Sequence, residues 1–193
     1  MYEFIRGTIA DLNPASVVIE AGGVGYFVNI SLNTYIKING EKEVRLLIHQ
    51  VVREDAHLLY GFAESREREL FRNLISVSGV GANTAVMMLS SLTPDELISA
   101  VVSENVNALK SVKGIGVKTA QRIIIDLKDK FGKIPDSGQI LIPADNTTRN
   151  ESLSALVMLG FTRKDADKVI AGIISEDPEA TVESVIKKAL KRL

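Results

Sequence analysis

A sequence unit that could bind an anion occurs twice in the chain. Residues 74–85, the first hairpin, align with residues 109–120, the second hairpin, at an offset of 35 residues, and both glycines of a Gly-hydrophobic-Gly motif coincide. Each copy is typical of a helix end, a tight turn and a helix start, so that unpaired backbone N–H groups face the turn. These features predict a helix-hairpin-helix, which holds a backbone phosphate without contacting the bases.

The candidate DNA-binding residues are the turn and the first helical residues of each hairpin. They are Gly79, Val80, Gly81, Ala82 and Asn83 in the first, and Gly114, Ile115, Gly116, Val117, Lys118, Thr119 and Arg122 in the second. We expect the four glycines to adopt unusual dihedral angles and to allow close approach, while Val80 and Ile115 anchor the turns. Asn83 occupies the position of Lys118 and offers a hydrogen bond without a charge. A turn that merely joins two packed helices is the simpler alternative for one copy, and repetition weakens it.

The positive charge is concentrated around the second hairpin. The 193 residues carry 23 basic and 24 acidic groups, a formal charge of −1, yet residues 105–133 hold 7 basic and 2 acidic groups. Nucleic-acid binding depends on where charge lies more than on its sum. This stretch therefore favours a nucleic-acid partner despite the neutral total.

Composition argues against most catalytic and metal chemistry. The chain has no cysteine and two histidines, which excludes thiolate zinc sites, cysteine nucleophiles and histidine-rich metal centres. Residues 113–119 resemble a phosphate loop, but Val117 separates the glycine from Lys118. We expect no catalytic site, no metal and no cofactor. With no long apolar run and no signal peptide at the start, a cytoplasmic location is expected.

Two other function classes stay open at this point. One is a generic helix-hairpin-helix module that binds duplex or single strands without preferring junctions. The other is a base-removing enzyme of the helix-hairpin-helix type, for which Asp126 is the nearest acidic candidate. No complete base-flipping pocket is visible, and Asp126 is expected to face solvent.

The elements that position the hairpins form a multidomain α+β chain. Short β-rich runs at 2–9, 16–21, 24–30, 44–51 and 57–62 predict a five-stranded barrel over residues 1–63, of OB-fold size, with an SH3-like barrel as the alternative. A helical period follows over 64–133, the tandem hairpin domain. Residues 134–150 lack a sustained period and predict a flexible linker. Three short amphipathic patterns over 151–193 predict a small three-helix, UBA-like domain.

The sequence as a whole resembles the RuvA family, the Holliday-junction-binding subunits of the bacterial branch-migration complex. The motifs that carry the resemblance are residues 19–26, 51–56, 58–62 and 155–161, together with the paired hairpins. The resemblance implies a four-fold symmetric homotetramer that holds an open four-way junction, with an octamer on DNA left open. Val117 stands where many members carry a basic residue, so phosphate contact is expected to depend on backbone N–H groups and Lys118.

The resemblance also assigns roles outside the hairpins. Glu54 and Asp55, the acidic tip, match the family's acidic pin, although such a tip alone is usually a solvated turn. Leu156, Leu159 and Phe161 match the region that contacts RuvB, the hexameric ATPase motor, and their alternative role is in a helical core. RuvC resolvase is a further candidate partner. The implied processes are DNA recombination, DNA repair and the SOS response to DNA damage.

Overall fold

The computed structural model describes residues 2–132 and 144–193, without the side chains of 144–147. The chain divides into two compact units, Met1–Ile134 and Pro135–Leu193. The barrel and the hairpins share the first unit.

The N-terminal part is a closed five-stranded barrel with strand order β1-β2-β3-β5-β4. Its elements are β1 (Phe4–Asn13), β2 (Ser16–Ala21), β3 (Val24–Ile30), α1 (Leu32–Ile38), β4 (Glu43–Val52) and β5 (His57–Phe62). Neighbours pair antiparallel except β3 and β5, which pair in parallel and close the barrel. Inward side chains alternate along β2 and β4, as a half-buried strand requires. The predicted OB-type barrel is confirmed.

Two details of the barrel differ from the sequence prediction. β1 reaches Asn13 rather than residue 9, because it continues beyond a register shift between Ile9 and Asp11. Helix α1 between β3 and β4 has no sequence prediction, because a helix of 7 residues spans about two turns and is too short to establish a helical period. The Gly22-Gly23 turn is as expected, with φ of 62° and 79° that favour glycine.

Five helices complete the first unit around a second core. They are α2 (Ser65–Ile75), α3 (Ala82–Ser91), α4 (Pro94–Val102), α5 (Val106–Lys110) and α6 (Val117–Phe131). The predicted capping box at Thr93 and Glu96 is present at the start of α4. No single helix in the described ranges is long and apolar enough to cross a membrane; only α3 and α4 taken together, bent by 101°, pass that test.

Aromatic and polar contacts join the barrel to these helices. The Phe71 ring of α2 lies 5.1 Å from the ring of Tyr60 and 5.0 Å from that of Phe62, both on β5. The buried Glu67 carboxylate of α2 accepts hydrogen bonds from Ser31 and Thr34 of the α1 start. The barrel therefore fixes the position of the helix that leads into the first hairpin.

The second unit contains the predicted three-helix domain. Its helices are α7 (Ala144–Met158), α8 (Arg163–Glu176) and α9 (Val182–Ala189), and their core includes Leu156, Ile170 and Val185. The prediction of a linker over 134–150 is wrong for residues 144–150, which are helical. Arg149 in this segment donates hydrogen bonds from Nε and Nη2 to the Asp167 carboxylate of α8, at 2.9–3.1 Å. Such a polar contact leaves no apolar period in the sequence. Residues 134–143 of the predicted linker lie among those that the structure leaves undescribed.

Candidate nucleic-acid interface

The two hairpins have nearly the same backbone geometry. The first glycine of each turn lies at φ 92° in Gly79 and 93° in Gly114. The second glycine lies at φ −85°, ψ 167° in Gly81 and φ −85°, ψ 168° in Gly116. The sequence repeat is therefore also a structural repeat.

The glycines of a turn serve two different purposes, which corrects the expectation that all four adopt unusual angles. Only Gly79 and Gly114 have a positive φ, where a side chain would be strained. Gly81 and Gly116 are extended, and a Cβ added there meets no protein atom within 4 Å. Neither backbone strain nor internal packing requires glycine at these two positions. A bare backbone there leaves room for a ligand.

The helices that follow the turns begin without a side-chain cap. No side chain accepts a hydrogen bond from the first turn of α3 or α6, whereas Thr93, Thr162 and Thr181 cap α4, α8 and α9. The first helical bonds run from Ala85 N to Gly81 O and from Ala120 N to Gly116 O, both 2.9 Å. The preceding N–H groups have no acceptor within the helix, and the positive end of the helix dipole lies with them.

The side chains of three predicted contact residues are buried. Val80 and Ile115 are buried in the helical core, as anchors of the turns, and Ala82 is buried beside them. The N–H groups of Val80 and Ile115 bond to Val77 O at 3.0 Å and Val112 O at 3.1 Å inside the turn. The side chains of these three residues are therefore not accessible to a ligand, and the assignment of these positions to DNA binding stays a prediction about their backbone.

The polar side chains of the two hairpins have different surroundings. Lys118 is exposed and forms no ion pair with any other described residue. Arg122, three residues after Thr119 on α6, donates from Nη1 to the Ser78 carbonyl oxygen at 3.1 Å and to Ser78 Oγ at 3.2 Å. A guanidinium of the second hairpin thereby contacts the turn of the first. Helix α6 of the second hairpin therefore lies within side-chain reach of the first turn, which the sequence repeat alone does not require.

The first hairpin carries a contact that sequence reasoning missed. The Tyr60 hydroxyl donates a hydrogen bond of 2.9 Å to Asn83 Oδ1 at the start of α3. Tyr60 belongs to the barrel, and the two residues are 23 positions apart. No local pattern links them, so only the packing of β5 against the helices could reveal the pair.

The acidic tip is a solvent-exposed hairpin end. Arg53 N donates to Ala56 O at 2.9 Å across the tip, which joins β4 to β5. Glu54 and Asp55 lie between them and are both exposed. Their carboxylates are therefore accessible to a partner.

Of the three predicted motor contacts in the second unit, one lies in the core, one is exposed and one is half-buried. Leu156 is 0% exposed, so its side chain belongs to the core of the three-helix domain and the direct-contact assignment is corrected. Leu159 is 60% exposed, and Phe161 is half-buried against the core. Met158, which the sequence analysis did not select, is 89% exposed. The turn at Gly160, with φ 100°, directs the chain from α7 into α8.

Among residues 2–132 and 144–193, no group of three or more His, Cys, Asp or Glu side chains could hold a metal ion. Asp126 is exposed on α6.

A closed OB-type barrel followed by two glycine-turn hairpins defines a class of multidomain DNA-binding proteins. Three family models match the chain: the RuvA N terminal domain at residues 1–61, the SAM-like helix-hairpin-helix tandem at 71–129, and the RuvA C-terminal domain at 147–193. The chain is 52% identical to the Holliday junction branch migration complex subunit RuvA of Bacteroides thetaiotaomicron. It is 53% identical to the protein of that name from Christiangramia forsetii. Both alignments cover 100% of each chain. The chain belongs to the RuvA family.

Proposed function

We propose that the chain is a non-catalytic subunit that binds Holliday junctions and connects them to the RuvB ATPase for branch migration in the cytoplasm. The observation that carries this proposal is the matched pair of hairpins. Both present uncapped helix N-termini and a bare second glycine, and Arg122 of the second hairpin contacts the turn of the first. Full-length similarity to RuvA subunits supports it.

In this proposal each hairpin holds the sugar-phosphate backbone of a duplex arm. The contacts come from the N–H groups that start α3 and α6, from Asn83, and from Lys118 and Arg122. These contacts are independent of base sequence, which suits a protein that must stay bound while the junction moves. Specificity for the junction then requires several copies of the chain around the crossover. We propose a homotetramer, to which a second tetramer on the opposite face of the junction can be added.

The acidic tip has a different role from the hairpins. Exposed Glu54 and Asp55 carboxylates repel phosphates and, gathered at a four-fold centre, would keep the separated strands apart. Two unit charges about 10 Å apart interact by about 0.4 kcal/mol in water and roughly 1.7 kcal/mol at an effective dielectric of 20. A base-pair step is worth about 1.4 kcal/mol. Such tips can bias strand separation but cannot drive sustained migration, so an ATP-driven partner is required.

The three-helix unit is proposed to bind that motor through its exposed apolar surface. Met158 and Leu159 present two large apolar side chains to solvent at the end of α7. Phe161 supports this surface from the core side. Leu156 acts indirectly, by holding α7 in place. RuvC resolvase is a further proposed partner, without an assigned surface.

The test is native mass spectrometry of the full chain mixed with equimolar synthetic four-way junction and linear duplex of the same arm sequence. We expect complexes of four or eight chains with one junction, and preferential loss of free junction over free duplex. Equal uptake of the two DNAs would instead support a generic helix-hairpin-helix module. Release of a base from damaged DNA by the purified chain would support the enzyme alternative.

A further inference from the structure

The first hairpin lacks the side-chain cation that the second one carries. Asn83 and Lys118 both occupy the second position of their helices, after Gly81-Ala82 and Gly116-Val117. Lysine binds a phosphate through a compact charge on a flexible chain, which finds its partner without being held. An asparagine amide is neutral and directional, since one end accepts and the other end donates hydrogen bonds. To bind an anion, Asn83 must direct its nitrogen outward.

Tyr60 supplies this orientation. Its hydroxyl donates to Asn83 Oδ1 at 2.9 Å, so the acceptor end of the amide is occupied and the two N–H donors of Nδ2 are left for a ligand. Burial raises the pKa of the Tyr60 hydroxyl against the opposing effect of Arg53, and the group therefore keeps its proton at neutral pH. The donor needed by Oδ1 is thus permanently present.

Tyr60 is itself held rigidly. The residue is 1% exposed, and its ring lies 5.1 Å from that of Phe71 on α2. Its backbone is paired on both sides, with His49 of β4 and with Asn29 of β3. A side chain fixed in this way limits the rotamers of Asn83 before DNA binds, which lowers the entropic cost of forming the contact.

We infer that Tyr60 is a positioning residue that orients Asn83, so that the first hairpin binds its phosphate through a neutral, pre-oriented amide rather than through a lysine. This inference rests on the proposed function and deepens it, since it specifies how the weaker of the two hairpins holds DNA. It also connects two proposed sites, because β5 begins next to the acidic tip and carries Tyr60 to the first hairpin.

The experiment measures binding of a fluorescent four-way junction and of a linear duplex by the full chain over a series of salt concentrations. The variants are Tyr60→Phe, Asn83→Ala and the double variant, with Tyr35→Phe as matched control, since Tyr35 is a half-buried tyrosine of the same unit. Phenylalanine keeps the ring packing of Tyr60. Urea unfolding of each variant verifies that the fold is retained.

We expect Tyr60→Phe and Asn83→Ala each to weaken junction binding about three- to tenfold, the size of one neutral hydrogen bond. The double variant should bind the junction with the same affinity as the single variant that binds it less tightly, because both changes remove the same contact. The slope of log affinity against log salt should stay at the wild-type value, since no phosphate loses a cationic partner. Tyr35→Phe should bind as the wild type does.

A lysine at position 83 provides a readout that a purely structural role of Tyr60 would not change. A lysine needs no orienting partner, so adding Tyr60→Phe to Asn83→Lys should have no effect on binding. The inference is overturned if Tyr60→Phe binds like the wild type, if the two losses multiply, or if Tyr60→Phe weakens the Asn83→Lys protein equally. If wild-type protein does not prefer the junction to the duplex, the proposed function fails instead, whatever Tyr60→Phe does. Absence of any wild-type DNA binding would overturn both.

Discussion

The first and second hairpins have the same backbone and different chemistry. Their turn dihedral angles agree within a degree, and both helices start without a cap. Yet Asn83 of the first hairpin bonds to Tyr60 of the barrel, and Glu67 holds the helix that leads into it, whereas the second hairpin carries Lys118, unpaired among the described residues, and Arg122, which contacts the first turn. The comparison indicates that the backbone provides the binding geometry in both copies. The side chains then determine how much charge each copy contributes.

The largest expected difference between the hairpins concerns charge. Lys118→Glu should weaken junction binding on the order of tenfold or more, since a hydrogen bond to a charged group is worth about 1.5–3 kcal/mol. Asn83→Glu should cost less, because it adds one negative charge without removing a positive one. Fluorescence anisotropy with a labelled junction measures both.

The salt dependence of junction binding shows whether the loss of affinity comes from a lost phosphate contact. Lys118→Glu should reduce the log–log salt slope by about 1 for each lost phosphate contact. Wild-type affinity in the Lys118→Glu protein, or losses of equal size in both variants, would remove the proposed division between the charged and the neutral hairpin.

The next prediction tests the shared backbone. Gly79→Ala and Gly114→Ala should each lower the free energy of unfolding by about 1–2 kcal/mol, because a side chain at positive φ is strained. Gly81→Ala and Gly116→Ala are the matched controls, expected to cost less, about 0.5–1 kcal/mol, because an extended N-cap prefers glycine to alanine but carries no backbone strain. Urea unfolding curves give these values.

The same variants should behave differently in DNA binding. A methyl group at Gly81 or Gly116 occupies the open space in front of the helix start, so these controls should fold normally and bind the junction less well. Unequal losses of stability in the Gly79 and Gly114 variants would contradict a shared turn geometry. Normal junction binding by the Gly81 and Gly116 variants would contradict a shared mode of phosphate contact.

The smallest expected effect concerns the attachment of the first hairpin to the barrel. Burial raises the pKa of Glu67 above its ordinary value of 4.5, although Ser31, Thr34 and nearby Lys37 act in the opposite direction and Glu64 reinforces it. The folded chain therefore holds this proton more tightly than the unfolded chain. The stabilisation is present in acid and is lost as pH rises from about 4.5 through the raised pKa.

Glu67→Gln should remove this dependence, since glutamine is neutral at every pH. The free energy of unfolding of the wild type relative to Glu67→Gln should fall as pH rises from about 4.5 through the raised pKa of Glu67, and should level off above it. Glu69→Gln, on the exposed face of the same helix, is the matched control and should leave the pH profile unchanged. A wild-type profile parallel to that of Glu67→Gln would contradict the assignment.

Sequence reasoning identified the elements whose signals are local. The repeat at 74–85 and 109–120, the glycine turn at 22–23 and the capping box at Thr93 all depend on neighbouring residues, and each is present in the structure. The first part of α7, residues 144–150, escaped prediction because polar pairing of Arg149 with Asp167 replaces apolar periodicity there. Leu156 illustrates a second limit of sequence prediction. A leucine of an amphipathic helix can lie in the core or on the surface, and the residue type alone does not distinguish the two positions.

The sequence by itself determined the two glycine turns, the concentration of basic residues around the second one, and the acidic residues between two strands. These depend on backbone propensity and on charge order along the chain, which folding does not alter. Only the tertiary structure decided that Arg122 reaches the opposite turn and that the Tyr60 hydroxyl meets Asn83. Both contacts join segments far apart in the chain, and a hydrogen bond between them forms only when the packing of barrel and helices brings donor and acceptor within about 3 Å.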